Sequence, residues 1–188
     1  MSAVIDSHHD DHHHGPAKGF SRWLYTTNHK DIGSMYLWFS LVMLFIGGAM
    51  AMVIRAELFE PGSQIVSPEF YNQMVTNHGL IMVFGVIMPA FVGFANWMIP
   101  MQIGAPDMAL PRLNNLSFWI LPVAFGILLS TFFMEGGAPN FGWTFYAPLS
   151  TEYAPPTVTF FIFSVHIMGA SSIMAVSYTH LTLPTKVT

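Results

Sequence analysis

From Gly33 to Ile54 the chain carries no charged side chain. Read as a helix rising 1.5 Å per residue, about 22 residues cover roughly 33 Å, the thickness of a bilayer's hydrocarbon core. A segment of this kind cannot be left in water, so it constrains the chain more than any other feature. Three more stretches repeat it. One is uncharged from Phe70 to Pro106 and most apolar over 74–99, one covers 116–134, and one covers 158–176. Alternating segments of the kind that build membrane barrels are absent, so the spans read as helices. Composition agrees: 53% of residues are hydrophobic and only 9% are charged, against about a quarter charged in a soluble domain. The expected fold is an all-α membrane protein with four transmembrane helices.

Before the first span lies a polar tail, residues 1–20, rich in His and Asp and ending in Gly and Pro. It reads as disordered; His8, His9, His12, His13 and His14 either bind a transition metal or are simply solvated. The tail sets the first span apart from a cleavable signal peptide. With no cysteine, disulfides and thiolate metal sites are excluded. The net charge of -4, without a basic block, gives no footprint for nucleic acid.

Lys and Arg near the spans set the orientation. Lys18, Arg22 and Lys30 precede span one, and Arg112 lies between spans two and three; the other connections hold only Arg55. The N-terminal side is therefore expected to be cytoplasmic. Glu57, Glu60, Glu69, Glu135 and Glu152 then fall on the outer side. The outer segment 136–156 carries Trp143, Phe145, Tyr146 and Tyr153 among Pro and Gly, the composition of an interfacial cap.

Ionisable groups inside a span are costly and usually have a task. Two histidines qualify, His78 and His166, both in the outer half of the bilayer. A haem needs an imidazole on an apolar wall with room for a flat ring. Gly79 and Gly85 leave room beside His78, with Met74 and Met82 one turn either side. A helix-end histidine hydrogen-bonded to a neighbour is the competing reading, and a haem held between His78 and His166 is a third. Arg55 is placed to meet a haem propionate or ring substituent, or else to snorkel and pair with Glu57. At the cytoplasmic mouth, Asp107 is followed by Asn114, Asn115 and Ser117 and preceded by Asn96. A carboxylate leading into amides and hydroxyls suits a water-filled proton entry; a loop Asp that caps a turn or pairs with Arg112 is the alternative. Ser171 and Ser172 serve either as water ligands or as contacts between helices.

Several blocks together carry a resemblance. Thr26-Thr27-Asn28-His29-Lys30-Asp31-Ile32-Gly33 resembles the opening signature of subunit I of the haem-copper oxygen reductases, in particular cytochrome c oxidase. Arg55-Ala56-Glu57-Leu58, the run from His78 to Phe84, Ile103 to Ala109 with Pro111 to Asn115, and Gly142 to Leu149 resemble it as well. The likeness extends from about Arg22 to Met174 and is similar to bacterial forms with a short His-rich tail.

The resemblance implies that His78 is one of two axial ligands of the low-spin haem a, and that Arg55 contacts a substituent of that haem. It implies that Asp107 is the entry carboxylate of a proton channel lined by Asn96, Asn114, Ser117, Ser171 and Ser172, with Tyr36 near the path. Trp143 and Tyr146 would pack near the haem propionates, and Glu57 and Gln64, with Glu60 nearby, would form an outer calcium or sodium site. No iron is implied for His166.

The implied activity is electron transfer from cytochrome c to oxygen, reduced to water and coupled to proton pumping, in a bacterial inner membrane with subunits II and III as partners. A ubiquinol-oxidising relative and a non-catalytic four-span haem-binding fragment are the alternatives. The family bundle has twelve spans, of which this chain supplies four. The second haem a ligand, the ligand of the oxygen-binding haem and the copper histidines belong to later helices, so this stretch by itself is expected to be inactive in oxygen reduction. Residues 21–176 match the family domain. From Ser177 to Thr188 the sequence turns polar and fits no family helix, so 177–188 is expected to be non-native.

Overall fold

The computed structural model describes residues 19–108 and 110–182, with side chains described through Ala175. The histidines of the N-terminal tail and the last part of the expected non-native tail, 183–188, lie outside the described residues. Among the described residues six α-helices follow one another: α1 (Phe20–Tyr25), α2 (His29–Glu57), α3 (Pro68–Leu80), α4 (Met88–Gln102), α5 (Pro111–Ser130) and α6 (Val158–Thr182). A π-helical segment, Ile81–Ile87, joins α3 to α4, and one 3₁₀ turn, Thr131–Phe133, ends α5. Among the described residues there is no strand.

Four of these stretches are long and apolar enough to cross a membrane: His29–Glu57, Pro68–Gln102, Pro111–Phe133 and Val158–Ala175. Each expected span is present, and the first three helices extend beyond it into the polar interface. Capping accounts for the first two, while α5 starts at Pro111 without a side-chain cap. Asn28 accepts the Lys30 N–H at 2.9 Å, so α2 begins before the uncharged stretch. Ser67 accepts the Phe70 N–H at 3.3 Å and is followed by Pro68, so α3 begins ahead of the apolar run. α6 continues to Thr182, past the expected end of its span at 176.

Just before Pro89 the helix widens into the π-helical segment. The Met88 N–H bonds to the Val83 carbonyl, and Ser40 of α2 donates to the Val86 carbonyl at 2.9 Å. π geometry and a neighbouring hydroxyl re-satisfy backbone groups that a proline disturbs, as lipid requires.

α2 runs against α3, the π segment and α4 on one side and α5 on the other; α5 and α6 pack along each other. Their shared core is Ile32, Tyr36, Met43, Ile81, Phe118, Leu121, Phe125, Leu128 and Phe161. Glycines set the closest approaches. A Cβ on Gly47 would lie 2.9 Å from the Met82 sulfur, and one on Gly85 would lie 3.0 Å from the Phe125 ring. Gly48, its neighbour in the same small-residue run, faces open space. Trp38, Phe45, Met52 and Phe91 are exposed, and large apolar side chains on the outside of such helices suit lipid.

The loop after α2 is organised by Glu57. Its Oε1 accepts the Gln64 N–H at 2.8 Å, and its Oε2 accepts those of Ile65 and Val66 at 2.8 and 3.0 Å. One expectation changes here. Arg55 is exposed and makes no ion pair with Glu57; among the described residues the ion pair is Arg22 to Asp31 at 2.9 Å. Glu57 and Gln64 meet in this loop through the Gln64 backbone N–H. Glu60 is exposed, the Gln64 amide donates to the Pro61 carbonyl, and no group of three or more His, Cys, Asp or Glu side chains stands together among the described residues. Glu57→Gln is expected to speed amide hydrogen exchange at 64–66, because those three N–H groups lose their charged acceptor. Protection that rises further with added calcium would support the cation site that the resemblance implies.

Candidate functional site

Two arrangements of polar groups stand out in an otherwise apolar bundle. The first surrounds His78. Its Nδ1 lies 2.9 Å from the Gly47 carbonyl oxygen of α2. A carbonyl only accepts, so Nδ1 carries the proton, and in the neutral ring Nε2 keeps its lone pair. The close approach of α2 depends on Gly47 having no side chain. The turn of α3 that carries His78 is also tied to the aromatic cap. Thr76 accepts the Gly142 N–H at 2.9 Å, and the Asn77 amide donates to Gln73 and Pro139 carbonyls at 2.8 and 3.2 Å. Trp143 packs on the open face of Gly79, where an added Cβ would sit 3.7 Å away. A half-buried imidazole held at one nitrogen and free at the other is what an iron ligand requires.

His166 differs. It is exposed, and its Nδ1 donates to its own helix at the Ile162 carbonyl, 2.8 Å away. It lines an open cavity of about 340 Å³ with Leu80, Phe84, Trp143 and Phe161 among others, and His78 is not part of that lining. Tyr146 is also exposed.

The second arrangement is a line of buried groups drawn from all four long helices. Asn114 donates to Asn96 Oδ1 at 2.6 Å and to the Met108 sulfur at 3.3 Å. Ser117 gives its proton to the Asn114 carbonyl at 2.7 Å, so the Tyr36 hydroxyl, 2.8 Å from Ser117 Oγ, is the donor in that pair. Ser171 of α6 donates to the Ser117 carbonyl at 2.6 Å. Tyr36, Ser171 and Ser172 then form the polar part of a mostly apolar cavity of about 120 Å³, which Phe84, Val92, Leu121 and Met168 also line. Asn96, Asn114, Ser117 and Ser171 are buried, and Asn114 Oδ1 is buried with no partner among the described residues, an acceptor suited to water.

Asp107 sits at the exposed end of this line. Its Oδ1 accepts the N–H of Met108, whose sulfur touches Asn114. The expected alternative of a pair with Arg112 is not formed; the carboxylate closes a local turn instead. Two members were not singled out from sequence. His29 is buried and donates from Nδ1 to the Asn96 carbonyl at 3.0 Å, and Met108 bridges Asp107 to Asn114. His29 lies outside the uncharged stretch, so a search for histidines within spans passes over it. Its position in the first turn behind the Asn28 cap was the available signal.

These features define a multi-pass helical membrane protein with a half-buried imidazole held between two helices and a hydrogen-bonded polar line through the bundle. The family model described as cytochrome c and quinol oxidase polypeptide I matches residues 31–187, and the chain belongs to that family. Among curated relatives, cytochrome c oxidase subunit 1 of Corynebacterium diphtheriae is 46% identical over 163 residues, 85% of this chain and 29% of the relative. The subunit of Corynebacterium glutamicum is 49% identical over 141 residues, 74% of this chain and 24% of the relative. That of Corynebacterium efficiens is 48% identical over 143 residues, 75% and 25% respectively. The chain thus spans between about a quarter and three tenths of the length of these relatives.

Proposed function

We propose that this chain supplies the proton-entry line and one axial haem ligand of a respiratory oxygen reductase that takes electrons from cytochrome c. The observation that carries the reading is the hydrogen-bonded line Asn96–Asn114–Ser117–Tyr36, continued by Ser171 to a cavity. Buried amides and hydroxyls are costly in a membrane interior unless they do work there. None of them is ionised, so they can orient waters without trapping a proton. Asp107, exposed at the open end, can gather protons from the aqueous side, and His29 steadies Asn96 from α2.

His78 fits a haem on its own geometry. Gly47 fixes the ring and the tautomer, and Nε2 stays available for iron. A haem bound there supplies one-electron transfer. Trp143, packed beside Gly79, would help close the pocket; Arg55 and Tyr146, both exposed, would meet the haem only at its edge. The second axial ligand, the oxygen-binding haem and the copper would be held by helices outside this chain. Subunits II and III would complete the complex in a bacterial cytoplasmic membrane, with the N-terminus on the cytoplasmic side. Cytochrome c rather than a quinol is favoured as donor because the relatives named above are cytochrome c oxidases.

The test is Asp107→Asn in a subunit carrying the full set of helices. A positioned proton-transfer group contributes roughly 10²–10⁴-fold, so turnover coupled to proton uptake is expected to fall on the order of tenfold or more. The low-spin haem spectrum should be unchanged, since Asp107 and His78 belong to separate arrangements. Unaltered turnover and proton stoichiometry would overturn the proton-entry reading.

A further inference from the structure

We propose that the rim where α2 begins holds one anionic phospholipid along the outer face of α2, beside Trp97 of α4, with Lys30 taking the phosphate. The site starts from a fixed indole. Gly33 has no side chain, and a Cβ there would lie 2.8 Å from the Gly93 carbonyl and 3.1 Å from Trp97 Cδ1. Trp97 therefore lies flush against α2. Its Nε1–H donates to Ser34 Oγ at 3.3 Å, and Ser34 in turn donates to the Lys30 carbonyl at 2.8 Å. The Lys30 ammonium rests over the Trp97 ring, 5.8 Å from its centroid. An ammonium placed on an aromatic face is held without being neutralised.

Charge leaves Lys30 in want of an anion. It is exposed, and among the described residues it has no carboxylate partner, because the neighbouring Asp31 is taken by Arg22 in three hydrogen bonds from the guanidinium. An ammonium offers three N–H donors, and the ring beneath it uses none as a conventional hydrogen bond.

Polarity along α2 then follows the order of a phospholipid. Lys30 is succeeded on the same face by Ser34, Leu37, Trp38 and Leu41, and the last four line an open cavity of about 220 Å³. Lys30 to Leu41 covers about 16 Å of helix, the depth from headgroup to upper acyl chain. The ammonium meets the phosphate, Ser34 lies at the level of the glycerol esters, and Trp38 and Leu41 flank the acyl chain. Trp38 is 65% exposed, a large apolar surface for an acyl chain to cover at this depth. Free phosphate would leave that lower half bare. A zwitterionic headgroup brings its own ammonium to compete with Lys30. The proposal depends on membrane insertion and not on the haem or proton assignments.

The experiment uses the intact complex containing this chain, in nanodiscs of phosphatidylcholine doped with phosphatidylglycerol, and native mass spectrometry after transfer. One phosphatidylglycerol per chain is expected to survive activation. Lys30→Gln should lose it and Lys30→Arg should keep it. Trp38→Ala, which leaves the charge in place, should lower the activation energy at which it is released. Equal retention by Lys30→Gln and the unaltered chain would overturn the proposal. So would equal retention of phosphatidylcholine, displacement by inorganic phosphate alone, or a protein segment of the complex cross-linking to position 38.

Discussion

Gly33→Val is expected to force α2 away from α4 and remove most of the folded protein from the membrane. An added Cβ at Gly33 meets the Gly93 carbonyl at 2.8 Å and the Trp97 backbone nitrogen at 3.3 Å; one at Gly93 meets the Gly33 carbonyl at 3.0 Å. Both obstacles are backbone and cannot rotate aside. Overpacking of this kind costs typically about 1–3 kcal/mol, and two further methyl groups take it to the upper end or beyond. The damage also reaches the polar line, because Asn96 sits one turn from Gly93 and links His29 to Asn114. Gly48→Ala is the control. Nothing lies within 4 Å of its added Cβ, and alanine gains about 0.8–1.0 kcal/mol of helix propensity over glycine. Unfolding measured by steric trapping in bicelles should separate the two variants clearly. Equal stability would mean that the Gly33–Gly93 contact does not hold the helices together.

His78→Ala, in a subunit with its full set of helices, is expected to abolish the low-spin haem absorbance. The argument lies in the tautomer: Nδ1–H is committed to Gly47, so Nε2 has no other hydrogen-bond role in the described structure. Gly47→Ala should give a graded result. Its Cβ meets the flexible end of Met82 at 2.9 Å and the Ile81 Cγ2 at 3.2 Å, so α2 shifts by a few tenths of an ångström rather than unpacking. Loss of such a supporting hydrogen bond typically lowers metal affinity on the order of 10–100-fold. The haem should bind more weakly with a shifted potential and a retained spectrum. A normal spectrum in His78→Ala would remove the ligand assignment, whatever Gly47→Ala does.

Much of the architecture was legible because lipid allows few solutions. Four uncharged stretches with no cysteine and few charges leave little but a helical bundle, and the helices lie where those stretches are. The candidate polar residues were also legible, because Asn96, Asn114, Ser117 and Ser171 are conspicuous against apolar neighbours. Caps were less so: Asn28 and Ser67 move helix starts into segments that hydropathy assigns to loops. Glu57 and Arg55 show the limit of reasoning from charge. Their proximity in sequence suggested a pair, yet three backbone N–H groups reach the carboxylate first.

Sequence by itself determined the solvent, the number of crossings in this stretch and the residue types available for chemistry. Those follow from transfer free energies and helix rise, which depend on composition and length alone. Only the tertiary structure decided which groups meet. Tyr36 reaches Ser117 across 81 positions of chain, and His29 reaches Asn96 across 67. Such bonds depend on how closely helices approach, and the approach is set by glycines with no side chain to announce their partner. The widening before Pro89 is of the same kind, since it needs Ser40 from another helix to reach the Val86 carbonyl. Periodicity within one helix holds no information about its neighbour's register, and the site is made of that register.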